Sequence, residues 1–171
     1  MYELKRLPVE GIDRALERAD HYRELNQPEE AESICRDILA VAPDNLPAKK
    51  LLGLALTDRL AEEESGVAGD VVDEALAIFG AFEAEYDRMY YTGIVHERCA
   101  KAELRQGNAH NAAASLESAL ACFERAEKLA PAGAWEPVLR YNRCVRMLDA
   151  YPDLAAALAH ARGERHSVLG D

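Results

Sequence analysis

Two places in this chain repeat one another at a fixed distance. Ala19 and Gly53 lie 34 residues apart, and each is followed three residues later by a bulky side chain, Tyr22 and Leu56. Small residues at such points let two helices approach closely, and 34 residues is the length of one helix pair in a repeat array. No pair of this kind buries its own apolar face alone, so successive pairs must stack. Almost every other segment also reads at a helical period, and none alternates with period two over the length of a strand. The expected class is all-α.

Turn and cap residues divide the chain into expected helices. The first runs from Val9 to Leu25, with Asn26 and Gln27 as the turn. Pro28 opens the second, which ends at Pro43. A third starts near Pro47 and stops in the acidic tract AEEESGVAGD, residues 61–70, which reads as an exposed loop. Asp70 is placed to cap a helix over VVDEALAIFGAFEAEYDRM, with Gly80 loosening its middle. Further helices are expected over Tyr91 to Gln106, ended by Gly107, and over Ala109 to Ala130, ended by Pro131. The last two cover Ala134 to Ala150 and Pro152 to Arg162, before a disordered tail, GERHSVLGD.

Set against the pattern W-x2-L-G-x2-Y, then A-x3-F, then P, the first unit offers Ala15, Arg18, Ala19 and Tyr22, then Ala31, Cys35 and Pro43. The second offers Lys49, Leu52, Gly53 and Leu56, then Ala75 and Phe79; Ala119, Phe123 and Pro131 repeat the closing spacing in a third. On these residues the chain resembles the tetratricopeptide repeat family. The resemblance implies one domain: a right-handed α-α superhelix of about four helix pairs. The units would be residues 12–45, 46–88 with the acidic loop at 61–70, 91–131 with a lengthened second helix, and a terminal pair at 134–163, leaving a tail at 164–171. It implies a non-enzymatic adaptor without a cofactor, holding a protein or peptide in a concave groove. The family's lysine and asparagine clamp on a terminal carboxylate would fall on Leu16, Asp20, Lys50 and Leu54, which do not supply it.

Charge narrows the partner. The net charge of −11 is unevenly placed: residues 1–90 hold 21 acidic against 10 basic side chains, and residues 91–171 hold 10 of each. An overall basic field, the usual requirement for nucleic acid, is missing. No segment approaches the run of about 18 apolar residues that spans a membrane, and the N-terminus lacks a signal-peptide core. Cys35, Cys99, Cys122 and Cys144 form no CxxC pair and sit in helical stretches. That usage points to reduced thiols and a cytoplasmic setting.

Within the balanced half, Arg98, Lys101 and Arg105 are spaced three and four apart, on one face of a helix. Arg140, Arg143 and Arg146 form a second stripe. If both helices open successive pairs, the stripes line one groove and recognise carboxylates through the arginine fork. A solvated helix face, partly neutralised by Glu97 and Glu103, is the plainer reading of the same residues. Tyr90 and Tyr91 join Tyr86, Trp135, Tyr141 and Tyr151 as candidate anchors, with filling of the spaces between pairs as the alternative. Being adjacent, Tyr90 and Tyr91 cannot both face the core, and one is expected to be exposed. Two other classes compete: a homo-oligomer joined through the alanine-rich helix near Ala112 to Ala121, and an enzyme gathering His96, Glu97, Cys99 and Cys144. His96 and Cys99, one turn apart, are too few for a metal site without convergent partners such as Cys144 or His110.

Overall fold

A glycine and a phenylalanine ring set the spacing of the helices in two successive places. The computed structural model describes residues 2–60 and 69–168, and the side chains among them up to residue 163. These residues form eight α-helices: α1 (Ile12–Glu24), α2 (Pro28–Val41), α3 (Leu46–Arg59), α4 (Gly69–Gly80), α5 (Glu85–Arg105), α6 (Ala109–Leu129), α7 (Glu136–Ala150) and α8 (Pro152–Val168). A 3-10 turn over Val9–Gly11 leads into α1. On α3, a Cβ added to Gly53 would stand 2.4 Å from the Phe79 ring of α4. On α5, the same atom on Gly93 would stand 2.6 Å from the Phe123 ring of α6. Both rings are fully buried, each contributing about 1.5–3 kcal/mol.

The ends of the helices follow local chemistry. Pro28 occupies the first turn of α2, where its missing N–H costs nothing. The Asn45 side chain accepts from the Ala48 amide at 2.9 Å and starts α3. Gly107 takes φ +74° directly after α5, a left-handed turn that glycine enters without a Cβ penalty.

Every extensive contact joins helices that are neighbours or next but one in the chain. Thus α1 meets α3, α3 meets α5 and α5 meets α7, while each also packs on the helix that follows it. The last pair departs from this order, since α8 lies more extensively on α6 than on α7. Two large clusters result. One centres on Leu52, Leu56 and Phe79, and the other on Leu116, Phe123 and Leu154.

Several boundaries differ from expectation. The stretch read as one helix from Val71 to Met89 breaks after Gly80, and α5 begins at Glu85, ahead of the expected boundary between the second and third units. The reason is tertiary. Phe82 turns into the core, and the Arg88 guanidinium donates to the carbonyls of Phe82 and Glu83 at 2.6 and 2.7 Å, satisfying backbone that leaves the helix. Asp70 lies inside the first turn of α4 rather than capping it; residues 61–68 of the acidic tract are outside the described residues. The segment read as a tail continues α8 as far as Val168, because a single Gly163 is not enough to end a helix.

The alanine-rich face of α6 is used within the chain. Ala112, Ala113 and Ala119 are buried in the same cluster as Leu116 and Leu154, so they are not an open contact for a second copy. Short side chains there let α5 and α6 lie close along their whole length, the most extensive pairing in the molecule.

Candidate functional site

Glu97 falls on the inward stripe of α5, between Gly93, Ile94 and Ala100, and its carboxylate is 0% exposed. An ionised carboxylate in that position is tolerable only if cations and hydrogen bonds replace water. Lys101, one turn on, donates to one oxygen. Arg140 of α7 donates to the other at 3.1 Å, and the Nε of Arg143 stands 3.9 Å from the first. Glu97 thereby fastens α5 to α7. A comparable joint lies one helix earlier, where Asp58 of α3 receives Arg23 of α1 at 2.9 Å and Arg98 of α5 at 3.2 Å.

The six cations expected to bind a partner are divided by these joints. Arg98 is held by Asp58, Lys101 and Arg140 by Glu97, and Arg105 donates to the Leu60 carbonyl at the end of α3. Arg143 remains 64% exposed on its side chain, and Arg146 is exposed. The Nε of Arg98 is buried without a hydrogen-bond partner among the described residues. The two stripes do meet at one place. Lys101, Leu104 and Arg105 of α5, with Arg143 and Met147 of α7 and Tyr151 beyond it, line a cavity of about 340 Å³. Arg98, Arg140 and Arg146 are not on its wall.

A second cavity, of about 440 Å³, opens along the same row of helices. Its wall carries Leu16 and Asp20 of α1, Lys50 and Leu54 of α3, and Tyr91 of α5, with Glu17 and Arg23 adding charges of both signs. The four positions matched to the family's clamp all lie here.

Tyr90 and Tyr91 correct the expectation that one of them is exposed. Both are half-buried, because α5 runs between the two clusters: Tyr91 packs against both and Tyr90 against the second. Tyr91 stacks on Phe79 with centroids 5.0 Å apart, while Tyr90 lies 6.2 Å from Phe123 and stacks on Tyr86. Of the candidate anchors, Trp135 and Tyr151 are exposed and the others are half-buried.

The residues read as a possible nucleophilic pocket carry the opposite electrostatics. Burial pushes the Cys99 thiol up to about 11, and pushes Cys144 up to about 12 with help from the nearby Glu97 charge. An activated thiol needs a lowered value. Burial also lowers His96 below the usual histidine range. Among the described residues no three His, Cys, Asp or Glu side chains converge as metal ligands, and all four thiols are free. No helix among them is long and apolar enough to cross a membrane.

The internal partners were the part that sequence reasoning missed. A signal for Glu97 was present: positions 93, 94, 97 and 100 form an i, i+3/i+4, i+7 stripe whose other members are apolar or small. No protein-family model, curated protein or solved structure matches the chain.

Proposed function

We propose that the chain is a non-enzymatic interaction module of the tetratricopeptide type, an α-α superhelix of about four pairs that holds an acidic segment of another protein. The segment lies along the row α1, α3, α5, α7. The observation that carries this reading is the coincidence of two cavities on that row: one falls on the family's groove positions, and the other is walled by Lys101, Arg105 and Arg143 with no carboxylate among the described residues. The neighbour-only contact order supports a stacked array in the same way. Carboxylates of the segment pair with the cations at the α7 end, while the apolar wall at Leu16, Leu51 and Leu54 takes its side chains.

The test uses Arg143 and Arg146, whose exposure separates binding from folding. Reversal at Arg98 or Lys101 would instead set a new carboxylate against Asp58 or Glu97. A fluorescent peptide alternating glutamate with leucine and tyrosine is titrated by anisotropy, beside the same peptide with lysine for glutamate. The glutamate peptide binds and the lysine peptide does not. Arg143→Glu with Arg146→Glu weakens capture by about tenfold or more, since like charge across an interface costs several kcal/mol. Equal binding of both peptides, or indifference to the double reversal, overturns the reading.

A further inference from the structure

The cavity between α5 and α7 holds more positive charge than the described residues around it neutralise. Three cations line it, Lys101, Arg105 and Arg143, and among the described residues no acidic side chain does. Behind the wall, the single charge of Glu97 is shared by Lys101, by Arg140 at 3.1 Å and by Arg143 at 3.9 Å, so it cannot neutralise all three. Arg105 donates to a neutral carbonyl and so keeps its full charge. The crowding is felt at Lys101. Burial draws its ammonium below the usual lysine range, and Arg143 and Arg98 act in the same direction against the pull of Glu97.

One carboxylate brings one negative charge and two acceptor oxygens, too little for three cations. A phosphate monoester brings about −1.5 to −2 at neutral pH and three acceptor oxygens, and arginine presents the planar fork that fits them. The rest of the wall is Leu104, Met147 and Tyr151, an apolar strip that free inorganic phosphate would leave in contact with water. At about 340 Å³ the space suits a small head group with a short stem.

We propose that this cavity binds a phosphate monoester borne on an aromatic or aliphatic stem, with the phosphoryl oxygens on Lys101, Arg105 and Arg143 and the stem on Leu104, Met147 and Tyr151. The inference deepens the groove reading, and rests on it for placing the ester on a captured protein segment rather than on a free small molecule.

Calorimetric titration of the full chain tests it with phenyl phosphate, benzoate and inorganic phosphate. Phenyl phosphate binds about tenfold or more tighter than either of the others, and its affinity falls as pH drops through about 6, where the ester takes up its second proton. Arg143→Ala lowers that affinity about tenfold with the helical circular-dichroism signal unchanged, the loss expected for one charged hydrogen bond. Tyr151→Ala weakens phenyl phosphate and leaves inorganic phosphate unaffected. Benzoate binding as tightly as phenyl phosphate, a flat pH response, or indifference to Arg143→Ala overturns the site.

Two peptides separate this result from the groove reading. A glutamate-rich peptide that binds while phenyl phosphate does not removes the ester site and leaves the groove; the reverse removes the groove and leaves a site for a free ester. The same peptide with one phosphotyrosine binds at least about tenfold tighter than phenyl phosphate if the ester is carried on a protein segment. Equal affinity assigns the site to the free ester.

Discussion

Asp58 receives Arg23 and Arg98 from the helices on either side of it, and Arg23 is shared with Asp20 at 3.6 Å, so two cations there meet two carboxylates. Glu97 is more deeply enclosed and is approached by Lys101, Arg140 and Arg143, three cations to one acid. Both joints tie together alternate helices of the row. The first is closed in charge, and the second leaves a surplus that faces a cavity. Among the described residues of this acidic protein, burying Glu97 has thus gathered more cations than the acid alone balances.

The widest separation between the joints is expected from deleting their acids. Glu97→Ala leaves several cations facing a fully buried gap and costs about 3–5 kcal/mol in urea unfolding. Asp58→Ala costs less, about 1–3 kcal/mol, because Arg23 keeps Asp20 and both of its partners keep some water. Equal losses would mean that enclosure does not distinguish the two. The glycine contacts come next. Gly53→Ala and Gly93→Ala each press a methyl group into a buried ring and cost about 1–3 kcal/mol. A neutral Gly93→Ala would break the correspondence between the two pairs.

A smaller effect is set by acid. Burial holds folded His96 below its ordinary value of 6.5, so on acidification the unfolded chain takes up its proton first. Its contribution is therefore neutral above about pH 6.5 and destabilising as pH falls below it, until the folded histidine also protonates. Urea midpoints measured from about pH 7.5 down to 5.5 should fall, and His96→Gln should flatten part of that slope. The smallest change is expected from Arg143→Ala, which alters stability by less than about 0.5 kcal/mol because the side chain is mostly in water and only loosely approaches Glu97. A large loss would move Arg143 from the ligand wall into the joint itself.

The sequence made the first three helices legible, because Ala19 and Gly53 keep the 34-residue distance and Pro28, Pro43 and Pro47 mark the ends. Gly93 stayed hidden since it follows Gly53 by 40 residues, with the acidic tract between them. The break at Ala81–Ala84 has no proline or paired glycine to announce it. It depends on Arg88 reaching back to two carbonyls, an interaction that exists only once the chain has turned. The cation stripes were readable from spacing alone, but their partners were not. Periodicity tells which residues share a face, and says nothing of what stands opposite.

Because no extensive contact among the described residues reaches beyond the next helix but one, none of the eight helices packs on both α1 and α7. Strain introduced near α1 reaches α7 through intermediate helices, by the ionic joints at Asp58 and Glu97 and by the apolar packing of α5 and α6 between them.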